Sequence, residues 1–232
     1  MENWREELRV DPVPALISSS NKAIEYFARR DLLDEKVGPI ETLWELPEVK
    51  RILHKQQVDG SWKYPGGGQE HLRSQEDYNQ LETYRILGEL VEKYGLTNKH
   101  PVIRNAAEFL FTRQSNEGDF RGIYGNQYSP NYSAAIMELP IKAGYDSDPR
   151  IEIGFEWLLS IRQNNEGWAI PLRTVGAKYA DTLSADTVKP DLTKQFSHLV
   201  TGVVLRAFAA SKKYSKSQEA VTAGRLLASR FF

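Results

Sequence analysis

The chain contains no cysteine among its 232 residues. Disulfides, a thiolate nucleophile, and zinc or iron–sulfur sites held by cysteine are therefore excluded. It also lacks an excess of charge of either sign: 30 Lys and Arg stand against 31 Asp and Glu, a net charge of -1. No bulk positive field is available to attract a nucleic acid or an anionic membrane, so neither is an expected partner. No uninterrupted apolar run approaches the roughly 18 residues of a membrane span. The opening Met1 to Glu7 is too acidic and polar for a secretion signal, which makes a cytoplasmic location the expectation. Histidine is scarce and scattered, at 54, 71, 100 and 198, with no spaced pair; no metal or other cofactor is expected.

With 41% hydrophobic, 26% charged and 11% aromatic residues, the chain reads as an ordinary globular domain spanning 1–232. It repeats. Ile52 to Trp62 aligns with Leu110 to Phe120 and with Leu159 to Trp168. Each copy has an apolar residue, then a Gln, then a Gly four positions later, then an aromatic one or two positions on. These are Gln56, Gly60 and Trp62; Gln114, Gly118 and Phe120; Gln163, Gly167 and Trp168. The Gln positions lie 58 and 49 residues apart, which suits one helix pair per unit.

Helical periodicity precedes each Gln: Val102, Ala106, Phe109 and Leu110 share one face, as do Ile151, Phe155, Leu158 and Leu159. The Gly fits a reversal with positive φ, the aromatic folds back on the helix end, and the Gln amide satisfies groups at helix termini. A second helix follows each reversal, over 83–94, 132–143 and 198–212, with Pro140 expected to bend the middle one. An earlier helix opens at Ser20-Asn21 and reaches about Leu33. With no alternating strand pattern, the fold class is all-α.

The three copies resemble the QW repeats of squalene and hopene cyclases and, more loosely, the repeats of protein prenyltransferase β-subunits. The run from Asn21 to Leu33 is also similar to the start of prokaryotic toroid proteins. The resemblance implies an α/α toroid, or an open arc of one, built from about four helix-pair repeats. It implies an apolar small-molecule ligand in a central cavity. The acid motif D-x-D-D of triterpene cyclases is absent, Asp181 and Asp186 having the wrong spacing, and so is the Cys zinc ligand of prenyltransferases. Ala223 to Phe231 aligns with Ala106 to Gln114, so a fourth unit begins and is expected to be incomplete. The remainder of a longer chain, or a homo-oligomer, would cover that open end.

The residues with chemistry to offer gather after the reversals. The connection from Ala169 to Lys194 far exceeds the usual roughly 4 to 6 residues, and together with Lys63 to Asn79 and Arg121 to Asn131 it is expected to form one face. That face carries Arg121, Tyr128 and Tyr132, then Arg173 and Tyr179, then His198, as candidate ligand-binding groups. Asp181 and Asp186 are the candidate acid and base, sheltered beside Tyr179 in a mobile wall. Solvated polar loop residues account for the same composition. Three readings follow: an isoprenoid-binding, cyclase-like or prenyltransferase-like domain; a non-catalytic toroid module for protein interaction; and a carbohydrate-processing toroid enzyme.

Overall fold

A computed structural model describes residues 8–66, 74–122 and 124–230. Met1 to Glu7, His71, the Gly67 to Gln69 part of the glycine-rich stretch and Phe231 lie outside them. Every regular element among the described residues is helical; the backbone bridges at 114–127 are isolated pairs and form no strand. The protein is all-α.

The helices in chain order are α1 (Val13–Ile17), α2 (Lys22–Phe27), α3 (Pro47–Leu53), α4 (Gln75–Gly88), α5 (Pro101–Phe111), α6 (Pro130–Pro140), α7 (Pro149–Ser160), α8 (Pro171–Thr174), α9 (Tyr179–Thr182), α10 (His198–Ala210) and α11 (Gln218–Ala228). Short π-helical turns extend α2, α4 and α6, over Ala28–Leu32, Glu89–Lys93 and Ile141–Tyr145. Helices α2 and α4 run into the same turn without a proline, so the π turn after α6 is not a consequence of Pro140 alone.

Helices α3, α5 and α7 open the three units and start on proline, whose missing N–H has no intrahelical partner at that position anyway. Their partners α4, α6 and α10 pack side by side with α6 in the middle, and α5, α7 and α11 pack against that row. Consequently α6 is buried at every position from Tyr132 to Pro140. One charge survives there: Glu138, 2% exposed, accepts from Lys142 Nζ at 2.6 Å and meets Arg206 Nη2 of α10 at 2.8 Å. Lys142 also reaches Glu92 at 2.7 Å, so one buried carboxylate ties together the three second helices.

The reversals join one unit to the next. Gln56 Nε2 donates to Gly60 O at 3.0 Å and to Val102 O at 2.8 Å; Gln114 Nε2 donates to Gly118 O and Arg150 O, both at 2.9 Å. Val102 and Arg150 are the second residues of α5 and α7. The aromatic that follows is fixed at its backbone by a hydroxyl from the second helix of its unit: Trp62 N donates to Thr83 Oγ1 of α4, Phe120 N to Ser133 Oγ of α6 and Trp168 N to Thr201 Oγ1 of α10. Trp62 and Trp168 also donate through Nε1 to the carbonyl ten residues earlier, Ile52 O and Leu158 O.

The third unit corrects the sequence register. Gln163 N donates to Gly167 O at 2.8 Å, the bond made by Gln57 to Ser61 and by Ser115 to Asp119. Gln163 is thus level with Gln57 and Ser115, and the residue level with Gln56 and Gln114 is Arg162. Its guanidinium takes over their role, donating to Glu166 O at 3.0 Å and to Glu219 O, the second residue of α11, at 3.3 Å. Positive φ falls accordingly on Gly60 (89°), Gly118 (111°) and Glu166 (78°), not on Gly167. Gly118 also has its backbone against α7, where a Cβ would stand 2.5 Å from Ile153 O. Gly167 is glycine for space: a Cβ there would stand 2.5 Å from Phe196 Cβ.

Candidate functional site

The loops that follow the second and third reversals meet. Gln127, 2% exposed, donates through Nε2 to Thr182 O at 2.6 Å and Asp186 O at 3.0 Å, and its Oε1 accepts from Val188 N at 2.9 Å. Asn126 N donates to Leu183 O, and Tyr128 OH to Val188 O at 3.0 Å. The far end of the long connection is held by Gln163, whose Nε2 donates to Asp191 O at 2.8 Å and Lys194 O at 3.0 Å. The stretch marked in the sequence as a mobile wall is therefore fastened at its middle and at its far end, and it contains the short helices α8 and α9. Gln127 escaped the sequence reading because a lone Gln in a loop carries no spacing signal.

A cavity of about 880 Å³ opens beside these loops, at the N-terminal ends of α6 and α10. Ile170, Val175 and Leu199 give it apolar wall, Tyr124 an aromatic edge, and Arg173 and Lys194 positive charge. Leu199 is 75% exposed. Lys194 stands 3.8 Å from Asp191. The Arg173 guanidinium makes no hydrogen bond or ion pair among the described residues. Helix N-termini carry partial positive charge, so the polar end of this cavity suits an anion and the remainder suits carbon.

The other sequence candidates are placed as follows. Arg121 is committed to Asp119, a fully buried carboxylate, at 2.9 Å, and this bond raises the guanidinium above its ordinary pKa. Tyr128 is buried, its ring edge-on to Trp157 at 5.5 Å, and burial pushes its hydroxyl above the usual tyrosine range. Tyr132 is buried in α6 with its ring 6.2 Å from that of Tyr84. Tyr179 is partly exposed and packs edge-on to Tyr124 at 5.6 Å, one residue removed from the cavity wall. His198 is exposed at the start of α10, its ring 4.9 Å from Phe196. Asp181 and Asp186 are exposed rather than sheltered, and neither lines the cavity. Of the eight candidates, Arg173 alone lies in the cavity wall.

Among the described residues no three His, Asp or Glu side chains cluster as metal ligands would, and no helix is long and apolar enough to cross a membrane. Compared with known proteins, the chain matches no family model and no curated sequence.

Proposed function

We propose that the chain is a repeat domain of the α/α-toroid type, an open arc resembling squalene and hopene cyclases and prenyltransferase β-subunits. Its proposed role is to bind a small, mainly apolar molecule of isoprenoid character at the cavity beside α6 and α10. One observation carries the reading: Arg173, without a side-chain partner among the described residues, stands at a cavity of about 880 Å³ walled by Ile170, Val175, Leu199 and Tyr124. A guanidinium grips a carboxylate or phosphate in two places, and the apolar wall takes the carbon chain. Binding, rather than acid–base chemistry, is the part supported, because Asp181 and Asp186 point to solvent. A thermal-shift panel of polyprenyl alcohols, polyprenyl phosphates and oligosaccharides tests it. The prenyl compounds are expected to raise the melting temperature; a response to sugars alone would favour the carbohydrate-processing reading, and no response to any prenyl compound would overturn the proposal.

A further inference from the structure

A second large cavity, about 910 Å³, lies between α3 and α4, and the repeat says what ought to fill it. In later units both helices pack on the second helix of the unit before: α5 and α6 on α4, α7 and α10 on α6. The equivalent neighbour of α3 and α4 is α2 with its π turn. Like α4, it runs through a π turn into a left-handed residue two positions on, Asp34 (φ 52°) for Gly95 (φ 64°). The same closing bond follows, Glu35 N to Arg29 O and Leu96 N to Leu90 O. But α2 has 6 residues before its π turn, against 14 in α4 and 11 in α6. Its cap, Asn21, lines the cavity, so the opening begins where the helix stops short.

The missing length is about 5 to 8 residues, or about 8 to 12 Å of helix. The floor it leaves is apolar, formed by Ile52, Trp62, Ile86 and Tyr94. The walls are charged and unbalanced. Glu82 and Glu89 are paired with Arg85 and Lys93. Arg51, Lys55 and Lys63 have no side-chain partner among the described residues, and neither has Glu48, leaving three cations against one carboxylate.

We propose that this groove is a docking site for an acidic amphipathic helix of a partner protein, laid in line with α2 where the absent turns would stand. Its apolar face covers Ile52 and Ile86, and its carboxylates meet Arg51, Lys55 and Lys63. The contact completes, from outside, the three-helix packing that the later units make internally. Unpaired cations at the rim steer such a helix and make its binding sensitive to salt.

The test uses the full chain with two synthetic peptides, one with leucine at helical spacing and glutamate on its other faces, one with lysine replacing every glutamate. The glutamate peptide is expected to bind, to weaken with added salt, and to lose about tenfold or more in affinity in the double variant Arg51→Glu, Lys55→Glu. Both side chains are exposed and without a side-chain partner among the described residues, so that variant keeps the parent's melting temperature. Equal binding of the two peptides, no binding of either, or an affinity unchanged by the double variant would overturn the proposal. So would a dimer of the chain, seen by sedimentation, that the double variant dissociates: a second copy would then be the occupant.

Discussion

Arg162 in the third unit holds the place that Gln114 holds in the second, bridging the carbonyl at the left-handed residue of the turn to the second carbonyl of the next unit's first helix. Two chemically different side chains satisfy the same pair of acceptors, because each presents N–H groups at the end of a stem long enough to reach both. The prediction is that Arg162→Gln preserves stability to within about 1 kcal/mol, whereas Arg162→Ala costs about 1 to 3 kcal/mol through the loss of two charge-assisted hydrogen bonds. Denaturant unfolding of both variants decides; equal losses would show that the bridge is incidental.

The backbone register makes a second prediction, and a sharper one. Glu166 has a left-handed backbone that glycine adopts freely, while Gly118 combines such a backbone with the Ile153 carbonyl at its back. Glu166→Gly is expected to leave stability unchanged or raise it by up to about 1 kcal/mol; Gly118→Ala should lower it by about 2 kcal/mol or more. Losses of similar size at both positions, in melting temperature or denaturant midpoint, would contradict the correspondence of the two turns.

These cases show what was legible in the sequence. The helices were, because Ile151, Phe155 and Leu158 keep helical spacing and all three are buried. The opening cap at Asn21 was, its side chain accepting from Ala23 N and Ile24 N. The third turn misled because Gln163 and Gly167 reproduce the Gln-to-Gly spacing one residue out of phase. The distance to the aromatic exposes the slip, since Trp168 follows Gln163 by five positions whereas Trp62 and Phe120 follow their Gln by six. Arg173 stood out in the sequence as a cation of the long connection, and the structure places it in the cavity wall. Asp181 was misjudged as sheltered, because whether a loop carboxylate faces a cavity or water depends on contacts such as those of Gln127 that no local pattern encodes. Glu138 was missed for the same reason: its partners are Lys142 and Arg206, and Lys142 is shared with Glu92, so the cluster draws on three helices.

Burial separates structural residues from loop residues. Trp168 is fully buried and packs on Phe208, with centroids 5.6 Å apart. Trp168→Ala is expected to cost about 3 to 5 kcal/mol, and Asp181→Ala and Asp186→Ala to stay within about 0.5 kcal/mol of the parent. Calorimetry on the three variants checks both halves. A large loss at either aspartate would mean that its carboxylate has a structural partner.

Stability should also depend on pH through the cap of α5. His100 Nδ1 accepts from Val102 N at 3.2 Å, and burial first, then Arg104, holds the imidazole below its ordinary pKa against the opposing pull of Glu45. The folded state therefore binds the proton less readily than the unfolded chain. The cap's contribution is complete above the unfolded value of about 6.5 and is lost as pH falls through the lower folded value. His100→Asn, which caps without titrating, should show a shallower fall in melting temperature between about pH 7.5 and about pH 5. Parallel curves for parent and variant would remove His100 from the account.

The central claim is that the cavity beside α6 and α10 binds an apolar molecule and that Arg173 receives its anionic end. Calorimetric titration with farnesyl phosphate and farnesol, on the parent and on Arg173→Ala, tests it most directly. The account predicts that the phosphate binds the parent more tightly than the alcohol. It also predicts that Arg173→Ala loses about tenfold or more in affinity for the phosphate alone, the worth of a charge-assisted bidentate contact, with an unchanged melting temperature. Equal affinity of the variant and the parent for farnesyl phosphate, or no binding by the parent, would contradict it.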